Sequence, residues 1–260
     1  MYTRLAGSSA PARNILALLG ITLAFACGDV GSDVSKEYEP SVSGQGERIR
    51  DVVAPGKRSG QSVNITGAIV TMVDNFDETR NGARGDVYVQ DFQNPGKNSG
   101  MGIFSPSFVP ASLRIAAGDV VDLRGTYLEL AGFPGATPFP AGQVKIQMDK
   151  PVATFRFDAP SPEPVDIDVA DLTDYSKGKQ WQGLLVRVKN VTTPSPPVVE
   201  GGRLALALGS GVTAAIVSNE FADLQAADLP AGTTYKSITG IVTYAFKLRL
   251  APRSLADFVR

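Results

Sequence analysis

The feature that most constrains the fold is an uncharged stretch at residues 63–73 that is rich in β-branched side chains. The stretch is long for a strand, and Gly67 lies near its centre. Positions of even number are polar before Gly67 and apolar after it. Because successive strand residues point to opposite faces, this change of pattern predicts a long strand that bends at the glycine and lends each half to a different part of a sheet. A related phrase returns at residues 237–243.

Further short strand patterns follow in the first half of the chain, separated by polar and glycine-rich turns. They lie at residues 87–91, 101–105, 120–130 and 144–148. Five short strands without a strong amphipathic helix are typical of a small all-β barrel or sandwich. The clearest boundary then comes at residues 159–164, where closely spaced prolines predict a stiff linker. A second β-rich unit follows, with an alternating strand at residues 184–191 and a hairpin around Gly209.

The composition narrows the chemistry that this chain can perform. It contains no histidine, which removes the commonest general base and the commonest metal ligand. Its one cysteine, Cys27, allows neither an intramolecular disulfide nor a cysteine-based zinc site. The net charge of −1 provides no overall attraction to nucleic acid or to anionic lipid.

The N-terminal residues indicate export from the cytoplasm. Arg4 and Arg13 are the only charged residues before an apolar run at residues 14–26, which is too short to span a bilayer comfortably. The small residue Ala26 followed by Cys27 resembles a bacterial lipobox. That resemblance implies a lipoprotein with palmitate on Cys27, anchored in the cell envelope, with the outer membrane as the expected membrane. The alternative is an ordinary signal peptide with a chance cysteine at its end.

Several phrases resemble the OB-fold domains that accompany secreted bacterial nucleases and occur in surface lipoproteins. They are ITGAIV, DVYVQD, GMGIF and GDVVDLRGTY in the first half, and WQGLLVRVKNV and SITGIVTYAFKLRLAPRSLADF in the second. The resemblance implies an all-β chain of two tandem OB-fold-like β-barrels. The predicted organisation is a lipoprotein signal peptide at 1–26, a flexible tether at 27–62, a first barrel at 63–158, a proline-rich linker at 159–166 and a second barrel at 167–260.

Aromatic and basic side chains of the first barrel are candidates for ligand binding, since OB folds bind single strands or sugars on such faces. The candidate residues are Phe76, Arg80, Arg84, Tyr88 and Phe92. The alternative is that Tyr88 and Phe92 are partly buried in the sheet and that the charges are ordinary surface groups. Three aromatic residues around a Gly/Pro-rich loop are expected either to line an exposed pocket or to cover one end of the barrel, namely Tyr127, Phe133 and Phe139.

The loop after residue 73 is a candidate cation site. Asp74, Asp77 and Asp86 offer closely spaced oxygen ligands of the kind that Ca²⁺ prefers. Basic residues lie among these acids and the spacing matches no fixed calcium motif, so a solvated loop is the alternative.

The nuclease catalytic domain that such modules often flank is not in this chain, so enzymatic activity does not follow from the resemblance. We expect a non-enzymatic, lipid-anchored binding or scaffold protein of the cell envelope, whose partner is a polymer or another envelope protein. The alternative is a surface protein that binds single-stranded nucleic acid or oligosaccharide.

Overall fold

Strand β1 (Ser62–Val73) contains the β-branched stretch and organises the first sheet. The computed structural model describes residues 46–54, 59–80, 86–103, 115–133, 135–209 and 214–260. The pairing of β1 with β4 shifts register between Ile65 and Ala68. Gly67 lies at this shift with a φ of 69°, a left-handed conformation that suits glycine. The predicted bend is confirmed, and the half after it pairs with β2 as well as β4.

Five strands close into a barrel in the order β1-β2-β3-β5-β4. Strands β3 and β5 pair in parallel, and the other neighbours are antiparallel. The interior is filled by buried aliphatic and methionine side chains, including Val63, Ile65, Val70, Val89, Met101, Ile103, Val121, Leu123 and Met148. The all-β, OB-like prediction is confirmed for this unit. The remaining strands are β2 (Val87–Asp91), β3 (Gly100–Ile103), β4 (Asp119–Leu130) and β5 (Lys145–Asp158).

A short helix, α1 (Ile49–Val53), packs against this barrel. The side chains of Ile49 and Val52 are fully buried in the barrel core. The carboxylate of Asp91 accepts a hydrogen bond from the Ile49 N–H at 2.7 Å and lies 2.8 Å from Nε of Arg50. Residues 46–54, which the sequence places in the tether, are therefore folded. Their partner Asp91 is remote in sequence, so local pattern gives no sign of this contact.

The second half forms an eight-stranded sheet in the part of the chain that the structure describes. The strand order is β6-β7-β11-β12-β10-β9-β8, and β13 pairs with β11. The described strands do not close into a second ring, because β6 and β8 remain at the two ends; two tandem barrels are therefore not confirmed. The strands are β6 (Val165–Asp166), β7 (Leu185–Thr192), β8 (Val198–Glu200), β9 (Arg203–Leu208), β10 (Ala215–Ser218), β11 (Thr234–Ala245), β12 (Lys247–Ala251) and β13 (Phe258–Val259).

Short helices connect the strands of the second half. Trp181, at the end of one of them, is 7% exposed, and its indole N–H donates to Asp171 at 3.0 Å. It therefore belongs to the core of the second sheet. No helix among the described residues is long and apolar enough to cross a membrane. The short helices of the second half are the 3₁₀ turns Val169–Thr173, Lys179–Trp181, Ala226–Asp228 and Leu255–Asp257, and the α-helical turn α2 (Tyr175–Gly178).

The barrel and the second sheet are in direct contact through β2 and β3. The side-chain Oε1 of Gln90 on β2 accepts a hydrogen bond from the N–H of Leu185 at 3.0 Å. Gly100 on β3 lies so close to the second half that a Cβ there would be 2.4 Å from the Leu184 nitrogen. Tyr88 packs edge-on against Phe221, with ring centroids 5.2 Å apart. The outer face of β2 and β3 is therefore covered by the second half.

Candidate functional site

A cleft of about 980 Å³ lies between the barrel and the second sheet. On the barrel side, it is lined by the β1–β2 loop, by parts of β4 and β5, and by the connection between these two strands. On the sheet side, it is lined by Arg203 of β9, by Glu220 after β10 and by the last three residues of β11. Most charged groups of the lining come from the β1–β2 loop, Lys145, Arg203 and Glu220, whereas β4 and the β4–β5 connection contribute mainly apolar groups.

The β1–β2 loop places acidic side chains at one end of the cleft. Asp74 follows β1 directly, and its Oδ1 accepts a hydrogen bond from the N–H of Phe76 at 3.2 Å. Its own N–H donates to the carbonyl of Asp86 at 2.8 Å, which closes the base of the loop. Asp74, Glu78 and Asp86 all line the cleft. With Glu220 from the second sheet, we call these four residues the acidic end.

The basic side chains that the structure describes at this end have acidic partners. Nε of Arg203 lies 2.5 Å from Oε1 of Glu78, whose side chain is 1% exposed. Nζ of Lys145 lies 2.8 Å from Oδ2 of Asp86. Oε1 of Glu220 lies 4.0 Å from Nε of Arg203 and 3.6 Å from Nη1 of Arg249, a residue of β12.

Asp74 is the acid at this end without a cationic partner. It is 8% exposed, and no described basic group lies within ion-pair distance of its carboxyl group. Burial raises its pKa to about 7, against the effect of the Phe76 N–H, and the nearby acids Glu78, Asp86 and Glu220 raise it further. Burial also raises the pKa of Glu78, and Arg203 opposes that rise. At neutral pH, the carboxyl of Asp74 is therefore only partly ionised.

The other end of the cleft is lined by aliphatic and aromatic groups, which we call the apolar wall. Its members are Leu128, Leu130, Phe133, Ala136, Pro138 and Ala245. Beside it, Tyr244 packs edge-on against Phe139 with centroids 5.0 Å apart, and its hydroxyl donates to Gln143 at 2.6 Å. Nζ of Lys145 lies 5.7 Å from the ring centroid of Phe133, at the border between the two ends.

Four buried polar atoms of cleft-lining residues make no hydrogen bond to the described part of the chain. One is Nε of Arg203, although it lies 2.5 Å from Oε1 of Glu78. The other three are oxygen atoms, namely Oε2 of Glu78, Oε1 of Glu220 and Oγ1 of Thr243. Thr243 is 4% exposed. Buried polar groups are normally hydrogen-bonded, and an unpaired one costs about 1–3 kcal/mol. A ligand with hydrogen-bond donors would supply partners for the three oxygen atoms.

Four of the five residues of the predicted aromatic and basic face lie in the described part of the chain, and they are in different surroundings. Tyr88 lines the cleft but is 5% exposed and packs on Phe221 of the second half. Phe92 instead packs against Phe157, with centroids 5.5 Å apart. Phe76 is half-buried and Arg80 is exposed, and neither lines the cleft. Arg84 lies outside the described residues.

The predicted cation ligands are also separated by their contacts. Asp86 pairs with Lys145, and Asp77 accepts from the hydroxyl of Thr79 at 3.3 Å. Within the part of the chain that the structure describes, no group of three or more acidic side chains has an arrangement that could hold a metal ion. The geometry therefore gives no support to a calcium site at Asp74, Asp77 and Asp86.

Sequence reasoning missed the half of the cleft that comes from the second sheet. Arg203, Glu220, Thr243 and Tyr244 carry no motif, and only the packing of β2 against the second half brings them to the β1–β2 loop. Of the three aromatic residues expected either to line a pocket or to cover one end of the barrel, Phe133 lines the cleft, whereas Tyr127 and Phe139 are buried and do not line it.

The predicted lipidation site, Cys27, lies outside the described residues. A scan against protein-family models finds no match, and a search of curated proteins likewise finds no relative.

Proposed function

We propose that this chain is a non-enzymatic, lipid-anchored binding protein of the bacterial cell envelope, and that the cleft binds its ligand. The observation that carries the proposal is Asp74, a buried carboxyl group with a pKa of about 7 in a large cleft. Strongly perturbed acids in clefts are typical of functional sites. The partner is a polymer or another envelope component that presents its binding group to this cleft.

The chemistry of the side chains favours binding over catalysis. The sequence has no histidine. Lys145 and Arg203, the basic groups that line the cleft, are held in ion pairs with Asp86 and Glu78. An ion pair of this kind directs the basic group to its carboxylate partner rather than to a substrate.

The anchor is supported by the sequence of residues 1–27, and labelling tests it directly. The full chain is expressed in a bacterium that is fed labelled palmitate, alongside the Cys27→Ser variant. We expect label in a membrane-bound protein, and neither label nor membrane attachment in the variant. Unlabelled protein released from the membrane would contradict the anchor and leave the cleft proposal standing.

The ligand site is tested by narrowing the cleft from its exposed rim. The full chain, purified in a non-ionic detergent, is incubated with bacterial envelope extract, and the retained compounds are identified by mass spectrometry. Ala136 is exposed and lines the cleft, so Ala136→Trp should lower the amount retained. Val152→Trp is the control, because Val152 is 65% exposed and does not line the cleft. Equal retention by wild type and both variants would mean that the cleft is not the ligand site.

A second candidate function is capture of oligosaccharide or single-stranded nucleic acid. The cleft lies at the β1–β2 and β4–β5 connections, the loops with which OB folds bind both kinds of polymer. The acidic end repels phosphate, so the geometry favours an uncharged oligosaccharide over nucleic acid. A mobility-shift assay of the full chain with single-stranded DNA should show no salt-sensitive complex, and a shift that weakens with salt would reverse this order.

A further inference from the structure

The balance of charge in the cleft indicates which ligands it accepts. The acidic residues that line it are Asp74, Glu78, Asp86, Asp149 and Glu220, and the basic residues are Lys145 and Arg203. Both basic groups are already paired, and Arg249 beside Glu220 does not remove the acidic excess. An anionic ligand would therefore meet repulsion, with no unpaired cation among the described lining residues to receive it.

The unpaired oxygen atoms in the cleft wall also favour a cationic ligand. Oε2 of Glu78 and Oε1 of Glu220 are carboxylate oxygens, which can only accept hydrogen bonds when ionised. The hydroxyl of Thr243 is buried in the same wall and is also without a partner. A group with several N–H donors and a positive charge would satisfy these three oxygen atoms and would complement Asp74, while Nε of Arg203 stays beside its ion-pair partner Glu78.

The apolar wall indicates that the rest of the ligand is hydrocarbon or aromatic. Its aliphatic and aromatic groups continue directly from the acidic end, with Phe133 close to Lys145 at the border. Burying hydrocarbon against such a wall stabilises a complex in proportion to the apolar area removed from water. A small inorganic cation would leave this wall uncovered.

We propose that the cleft binds an organic cation, with its ammonium or guanidinium group among the carboxylates of the acidic end and its hydrocarbon or aromatic part on the apolar wall. The inference rests on the proposed ligand-binding role of the cleft and names its ligand class. The unusual pKa of Asp74 agrees with it, because a buried carboxyl group that lacks a counter-ion retains its proton.

Three probes that differ only in their head group test the proposal. They are 3-phenylpropylamine, 3-phenylpropanol and 3-phenylpropanoate, each titrated calorimetrically into the full chain in non-ionic detergent at pH 8 and low salt. The amine should bind about tenfold more tightly than the alcohol, as expected for a hydrogen bond to a charged group, and the carboxylate should not bind measurably.

Two matched acid-to-amide variants identify the site. Asp74→Asn keeps an acceptor for the Phe76 N–H, so the fold should persist, and the preference for amine over alcohol should fall about tenfold. Asp166→Asn removes an exposed acid that pairs with Arg187 and Lys189 outside the cleft, and it should leave the preference unchanged.

The possible failures separate the two proposals. If wild type binds the alcohol or the carboxylate as tightly as the amine, the organic-cation inference is overturned while the cleft remains a ligand site. If no probe binds in the millimolar range, or if Ala136→Trp leaves amine binding unchanged, both the inference and the proposed ligand site are overturned.

Discussion

The protonation state of Asp74, and with it the charge of the cleft, changes near neutral pH. Its pKa is about 7 in the folded protein, against an ordinary value of 3.8. The folded state therefore holds a proton between about pH 4 and pH 7 that the unfolded state has released. A group that binds more protons when folded stabilises the folded state at low pH, and this contribution is lost as the pH rises through the folded pKa.

Above about pH 7, ionised Asp74 destabilises the folded state, because burial disfavours its charge. Replacing Asp74 by asparagine should remove this destabilisation. Since one pKa unit is worth about 1.4 kcal/mol, the upper limit of the gain is about 4 kcal/mol. We expect Asp74→Asn to raise the free energy of unfolding at pH 8 and to have little effect near pH 4. Urea unfolding of the ligand-free full chain at both pH values measures this. A variant that is less stable than wild type at pH 8 would show that Asp74 has a stabilising partner.

Thr243 offers a second test at the residue scale, because its buried hydroxyl has no partner. Thr243→Val keeps the shape of the side chain, so the ligand-free protein should be unchanged or more stable, by up to about 1–3 kcal/mol. The matched control is Thr71→Val, because the hydroxyl of Thr71 donates to the carbonyl of Tyr88 at 3.2 Å. The control should lose about 1 kcal/mol in urea unfolding. Equal losses in the two variants would mean that Thr243 is hydrogen-bonded.

At the scale of elements, strand β3 determines how closely the barrel approaches the second half. A Cβ on Gly100 would lie 2.4 Å from the nitrogen of Leu184 and 2.5 Å from the carbonyl carbon of Gly183. Both are backbone atoms and cannot rotate away. A Cβ on Gly102, two residues along the same strand, would meet nothing closer than 3.6 Å.

These two glycines should therefore respond differently to alanine. We expect Gly100→Ala to lower the free energy of unfolding by about 1–3 kcal/mol or more, as overpacking does. Gly102→Ala should be neutral or stabilising by up to about 1 kcal/mol, because it restricts the unfolded chain. Urea unfolding of both full-length variants is the measurement, and a tolerated Gly100→Ala would contradict the close approach of β3 to residues 183–184.

At the scale of the whole molecule, the barrel and the second sheet share hydrogen bonds and a small apolar cluster. That cluster contains Tyr88 from the barrel and Leu185, Phe221, Ile241 and Ala251 from the second half. The side chain of Gln182 adds two further bonds, accepting from the N–H of Ile146 at 3.1 Å and donating to the carbonyl of Val144 at 3.0 Å. Elements that share so many buried contacts are expected to unfold together.

We therefore expect a single cooperative unfolding transition for the described body of the protein. Fluorescence of Trp181 reports on the second sheet, and amide exchange of β1 reports on the barrel. The change in Trp181 fluorescence and the loss of amide protection in β1 should have the same denaturant midpoint. Two separate midpoints would show that the barrel and the second sheet are independent folding units, and would favour the separate units predicted at 63–158 and 167–260.

Sequence by itself determined the features that depend on local pattern. The polarity change across Gly67 predicted the bend of β1, and the alternation at residues 184–191 predicted a half-buried strand where β7 lies, because side-chain direction in a strand follows directly from position. The cleft could not be predicted from local sequence pattern. Glu78 meets Arg203 only because β2 and β3 pack against the second half, which also turns Tyr88 from a candidate binding residue into a buried contact. Tertiary structure decided the site, because burial and unpaired charge arise from groups brought together from distant parts of the chain.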